Sequence, residues 1–141
     1  QEEVLQALET AQASFILNKD GGLQSEISQG GANVSGGQKQ RLSIARALVK
    51  DASIFIFDDS FSALDFKTDQ LLRKAIKENI TNASLLIVAQ RVNTIIDADK
   101  IVVLDKGRVV GQGTHKELLK SCPTYYDIAS SQLSKEELDH E

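Results

Sequence analysis

Two unbroken apolar runs do most to restrict the architecture: Ile54-Phe55-Ile56-Phe57, which ends in Asp58-Asp59, and Leu85-Leu86-Ile87-Val88-Ala89. A strand with one face in water alternates apolar and polar residues. These runs do not alternate, so each reads as a strand buried on both faces, as in a parallel sheet covered by helices. Between them a helix is expected from about Thr68, with Leu71, Leu72, Ala75 and Ile76 turned inward. Residues 2–17 read as another helix, with Val4, Leu5, Leu8, Ile16 and Leu17 as its apolar positions, and a Gly-rich polar stretch over 20–33 ends it. Ser35 and Gln38 form an S-x-x-Q capping box that opens a helix with Leu42, Ala45, Leu48 and Val49 on one face. Residues 101–104 and 108–110 flank Asp105-Lys106-Gly107 as a hairpin. Thr114 and Glu117 cap a helix from His115, and Pro123 follows its end. The acidic stretch 135–141 reads as a frayed helix or tail. The expected class is α/β, a mostly parallel sheet flanked by helices.

Composition removes several functions. With five Phe, two Tyr, no Trp, a net charge of -4 and no basic stripe, nucleic-acid binding is disfavoured. The single cysteine, Cys122, cannot form an internal disulfide, which fits a reducing cytosol; it reads as an inert small hydrophobe or an exposed thiol. His115 and His140 are far apart and lack a Cys pair, so they make no zinc site. No apolar run approaches the roughly 18 residues that cross a bilayer. The 141 residues suit one domain or a large piece of one, and the absence of Met with a mid-helix opening at Gln1 suggests a piece of a longer polypeptide.

The chemistry concentrates in two places. In the string Val34-Ser35-Gly36-Gly37-Gln38-Lys39-Gln40-Arg41-Leu42-Ser43-Ile44-Ala45-Arg46-Ala47-Leu48, two glycines in the first helical turn leave backbone N–H groups uncovered at the positive end of the helix. Such an end suits a phosphate, with the Ser35 hydroxyl as a further donor. Alone, Ser-Gly-Gly describes a capped helix with a tight turn equally well. Asp58 closes an apolar strand where parallel sheets bind ligands, and it suits Mg²⁺ directly or through water. By itself, a strand ending in two acids is also a common solvated edge.

Taken together, these strings resemble ATP-binding-cassette (ABC) ATPases. Residues 34–48 match closely the family's signature, L-S-G-G-Q followed by Q-R and I-A-R-A-L. Asp58-Asp59 stands where the family has Walker B, and Ser62-Ala63-Leu64-Asp65 matches its D-loop, which contacts the opposite subunit. Val88-Ala89-Gln90-Arg91-Val92-Asn93-Thr94 is similar to the switch region, normally H-R-L-S-T, whose His contacts the γ-phosphate. Gly113-Thr114-His115-Lys116-Glu117-Leu118-Leu119 resembles the G-x-H-x-E-L segment of exporter cassettes, which makes His115 a capping-turn residue. The resemblance implies a partial P-loop NTPase fold: part of the helical subdomain over 1–50, the Walker B to C-terminal α/β part over 51–132 and an acidic tail over 133–141. It also implies ATP and Mg²⁺ as cofactors. Val34, Ser35, Gly36, Gly37, Gln38 and Asp65 would contact nucleotide, Asp58 the metal, and Asp59 and Gln90 would be catalytic. The implied partners are a second ABC nucleotide-binding domain and an exporter's transmembrane domain, at the cytoplasmic face of the cell membrane. No G-x-x-x-x-G-K-[ST] occurs in the sequence; in the family the P-loop and the Q-loop lie upstream.

Two departures, Asp59 and Gln90, point to a subtype, and a third concerns contact with the membrane domain. The residue after the Walker B Asp is usually Glu, the base that orients the attacking water; Asp59 is one methylene shorter and retracts its carboxylate by roughly 1.5 Å, which can cost about 10²-fold. Gln90 replaces the switch His and cannot become a cation or relay a proton. Gln29 stands where many exporters carry Glu before the signature. An intact signature beside a weakened catalytic pair looks like one chain of a heterodimeric multidrug exporter: its own ATP site degenerate, its signature completing the partner's. Two other readings stand beside it. One is a regulatory clamp that holds ATP without hydrolysis. The other is a DNA-maintenance ATPase with a similar signature, against which the G-T-H-K-E-L segment and the acidic charge count.

Overall fold

The computed structural model describes residues 1–50, 52–134 and 138. The remainder of the 135–141 stretch, with His140, lies outside the described residues, and so does the expectation of a frayed helix there. Two compact units divide the chain, Gln1–Val88 and Ala89–Glu141.

In the first unit, α1 (Glu2–Thr10) is followed by three 3₁₀ turns, α2 (Gly36–Leu48), β1 (Ile54–Asp58), α3 (Phe66–Asn79) and β2 (Ser84–Val88). The strands pair in parallel from Ile54 opposite Ser84 to Asp58 opposite Val88, with α3 as the crossover. The helices contribute Leu8, Ile44, Ala45, Leu72 and Ile76 to a core shared with Phe55 and Phe57 of β1. Those two rings stack with centroids 6.3 Å apart, and Phe61 tilts against Phe57 at 5.6 Å.

The first helix is shorter than the expected 2–17. It stops at Thr10 because Gln12 is left-handed, at φ 55°, and a helix cannot continue through such a residue. Arg41 holds this break: its Nη1 donates to the Gln12 carbonyl at 2.6 Å, and its guanidinium lies 4.8 Å above the Phe15 ring. Of the apolar positions expected on that helix, Leu8 and Ile16 are buried, whereas Val4, Leu5 and Leu17 are exposed.

The expected mostly parallel sheet is also corrected. Among the described residues, only β1 and β2 pair in parallel, and the other two strands form a separate antiparallel hairpin. Nor is β1 buried on both faces. Phe55 and Phe57 face the core, while Ile54 and Ile56 are 63% and 65% exposed. On β2, Leu86, in register with Ile56, and Val88, in register with Asp58, are exposed too. A continuous apolar run hides this alternation, because both of its faces carry apolar side chains. On α3, Leu72 and Ile76 are buried as expected, but Leu71 is exposed.

The second unit holds α4 (Val92–Ile95), β3 (Ile101–Asp105), β4 (Arg108–Gly113), α5 (His115–Ser121) and α6 (Pro123–Gln132). The hairpin turns through Lys106 and Gly107, both left-handed at φ 47° and 74°, the pattern of a type I′ turn. Thr114 and Glu117 form the expected capping box, and Pro123 occupies the first turn of α6. His115 Nδ1 lies 2.8 Å from the Tyr125 hydroxyl, and burial lowers its pKa below the ordinary imidazole value.

Cys122 is buried among Val103, Leu118, Tyr125 and Ala129. Gly111 opposes it: a Cβ there would lie 2.7 Å from Cys122 Sγ and 3.1 Å from Leu118 Cδ2. Gly111→Ala is therefore expected to destabilise this unit by about 1–3 kcal/mol, read as a lowered thermal midpoint. Adding Cys122→Ala should recover part of the loss by removing the clashing sulfur.

Candidate functional site

Ser35 caps α2 as its sequence predicts. Its Oγ accepts from the Gln38 N–H at 3.2 Å, and Gln38 Oε1 accepts in return from the Ser35 N–H at 3.0 Å. Accepting that bond leaves the Ser35 hydroxyl hydrogen available to an external acceptor. Ser35 and Gly36 are exposed, and Val34, Gly37 and Gln38 are half-buried. The two glycines differ in role. A Cβ on Gly37 would sit 3.0 Å from the Ala63 carbonyl oxygen, so this glycine lets the first turn of α2 pack on the 59–64 turn. Gly36 is the more open one, with Ala63 Cβ at 3.6 Å.

The other wall begins where β1 ends. Asp58 is the last residue of the strand, and the Asp59 N–H donates to the Val88 carbonyl at 3.0 Å, extending the ladder by one bond. Asp59 then turns left-handed at φ 50°, a conformation that Asp tolerates better than most residues, and its side chain is exposed. Asp65 caps α3: its two carboxylate oxygens accept from the Thr68 N–H at 3.0 Å and the Thr68 hydroxyl at 2.7 Å. Those bonds hold its pKa below the usual carboxylate value.

Gln40 ties the two walls together, and sequence reasoning missed it. Its Nε2 donates to the Asp59 carbonyl at 3.2 Å and to Ser62 Oγ at 3.0 Å, while its Oε1 accepts from the Ala63 N–H at 2.9 Å. One carboxamide thus binds the turn after β1 to the second turn of α2. Lys39, Gln40, Asp58, Asp59 and Ser60 also border a cleft of about 560 Å³ beside α2. Val34 to Gln38, Asp58, Asp59 and Asp65 therefore all belong to the first unit, and Gln90, exposed, belongs to the second.

The donor set bears on the metal. Among the described residues no three His, Cys, Asp or Glu cluster as a ready-made cage. Mg²⁺ usually takes one or two carboxylates and completes its shell with water and phosphate oxygens. Asp58 fits that partial role, in the company of a nucleotide.

Comparison with known proteins follows the same residues. The ABC transporter family profile matches residues 1–62, which include Ser35, Asp58 and Asp59. A bacterial Atm1-family ABC exporter solved with ATP bound superposes with a TM-score of 0.89 at 37% identity, over 95% of this chain and 24% of that one. The chain is thus similar to part of the ATP-binding domain of ABC transporters. An uncharacterised ABC transporter ATP-binding protein of Mycobacterium tuberculosis is 44% identical over 132 residues, 94% of this chain and 22% of that protein. An ATP-dependent lipid A-core flippase of Psychrobacter arcticus is 50% identical over 119 residues, 84% of this chain and 20% of the flippase. The chain thus spans about a fifth to a quarter of the length of these relatives.

Proposed function

We propose that this ABC domain serves ATP-driven export from the cytoplasmic face of a membrane, as one half of an asymmetric pair of nucleotide-binding domains. In this reading residues 1–50 belong to the helical subdomain, 51–132 to the α/β part and 133–141 to an acidic tail. Ser35, Gly36, Gly37 and Gln38, with Val34 and Asp65 beside them, complete the ATP site of a second domain, and the domain's own site is degenerate. The fused or associated transmembrane domain would carry the substrate contacts. A multidrug exporter of two unlike chains is the form that best fits an intact signature beside Asp59 and Gln90.

The observation that carries this reading is the state of the signature helix. Its capping box is complete, and Ser35 and Gly36 at its start are exposed, so donors there stand ready for a phosphate. Supporting degeneracy, Asp59 carries the shorter carboxylate and Gln90 lacks a titratable ring. Asp58 would hold Mg²⁺, which neutralises phosphate charge once nucleotide is bound.

Asp59→Asn tests the asymmetry in the assembled transporter. It should lower steady-state ATP turnover less than about threefold, whereas removing the partner domain's catalytic carboxylate should cost on the order of 10²-fold or more. Equal losses from the two changes would make Asp59 a working base and overturn the degenerate reading.

A further inference from the structure

The segment that carries Gln90 is fastened by a residue some forty positions later. Gln132 ends α6, between Ala129 and Leu133, both buried in the core of the second unit. Its Nε2 donates to the Gln90 carbonyl at 2.9 Å, and its Oε1 accepts from the Val92 N–H at 2.9 Å. One carboxamide therefore grips the backbone on either side of Arg91. Only one orientation of the amide satisfies a carbonyl and an N–H together, so its assignment follows from the bonds themselves.

The fastening answers a local need. Val92 opens α4, a single four-residue turn whose N-cap, Arg91, makes no side-chain capping bond. The first N–H groups of any helix lack partners inside it, and Val92 is only 2% exposed, so water offers little substitute. Gln132 supplies the missing acceptor from outside the turn. The same side chain fixes the Gln90 carbonyl, which leaves the direction of the Gln90 side chain to be set by a rigid backbone.

We propose that Gln132 is the positioning residue of the Gln90 segment, so that the end of α6 governs how Gln90 is presented to bound nucleotide. The proposal rests on the reading of Gln90 as the residue at the switch position. Gln132 touches no substrate itself. Its effect passes through the backbone of residues 90–92, and losing its bonds frees that backbone without removing any group that meets ATP.

Two variants of the full transporter separate the possibilities. Gln132→Leu keeps the bulk and removes both bonds. Gln132→Glu keeps an acceptor for the Val92 N–H and sets a carboxylate oxygen against the Gln90 carbonyl. Hydrogen exchange over residues 89–95 reads the clamp directly, and single-turnover hydrolysis with the partner's catalytic carboxylate removed reads its consequence. Gln132→Leu should speed exchange at Val92 on the order of tenfold. It should slow hydrolysis at saturating Mg-ATP by about tenfold, with the half-saturating concentration changed less than about twofold. Gln132→Glu should leave Val92 protected and still slow hydrolysis, a split that general loosening of α6 would not produce. Unchanged exchange in Gln132→Leu would overturn the clamp. Faster exchange with wild-type hydrolysis, while Gln90→Ala slows it, would overturn the positioning role and leave Gln90 in place. If Gln90→Ala itself changes nothing, the reading of Gln90 fails and Gln132 is reduced to a structural tie.

Discussion

Ser35→Arg in the assembled transporter is expected to reduce ATP turnover by about 10²- to 10³-fold while changing Mg-ATP binding at the partner's P-loop less than about twofold. In the proposed assembly the hydroxyl and N–H groups at the start of α2 would donate to a phosphate that another domain already holds, so a bulky cation there would block closure rather than first contact. The change also removes a helix cap worth about 1 kcal/mol, and a control must separate the two effects. Ser35→Asp does so. Asp caps a helix as well as Ser does, so α2 should keep its stability, yet its negative charge opposes a phosphate and should still stop turnover. Steady-state ATPase and nucleotide-binding assays on both variants give the answer. Wild-type turnover in Ser35→Arg would mean that the signature does not complete a working site.

The second large effect runs the other way. Asp59→Glu combined with Gln90→His restores the carboxylate reach and the imidazole usual in the family, and it should accelerate single-turnover hydrolysis at this half-site by about 10²-fold when the partner's carboxylate is absent. The backbone opposes part of that gain. Asp59 is left-handed, and a longer residue there should cost about 1 kcal/mol in stability, visible as a lower denaturation midpoint. If the wild-type half-site already hydrolyses as fast as the intact transporter, Asp59 is a competent base. If the double change leaves a slow site slow, the cause of the asymmetry lies elsewhere.

What could be read from the sequence was local. Both capping boxes, at Ser35 and Thr114, follow from residues three apart, and the hairpin follows from Lys106-Gly107 between two apolar runs. The side chains that organise the site act over long separations and leave no periodic trace. Gln40 reaches Ala63 across 23 residues, Gln132 reaches Gln90 across 42, and Arg41 reaches Gln12 across 29. A carboxamide bound to backbone atoms matches no residue type at the other end, so no pairing rule could have found these bonds. The one-sided burial of β1 escaped notice for the opposite reason. Ile54 and Ile56 are as apolar as Phe55 and Phe57, and only packing tells the two faces apart.

The pairing of β1 with β2 has a practical consequence at the bench. Among the described residues this two-stranded ladder has two free rims, each a row of backbone donors and acceptors without a neighbour in the sheet. Beside them lie Ile54, Ile56, Leu86 and Val88 in the open. Concentrated solutions of this chain by itself therefore offer a template on which further extended segments can add, chain upon chain. Light scattering should rise with concentration well before heat unfolds the helices. A lysine in place of Ile56 should suppress that rise while leaving the Phe55 and Phe57 face undisturbed.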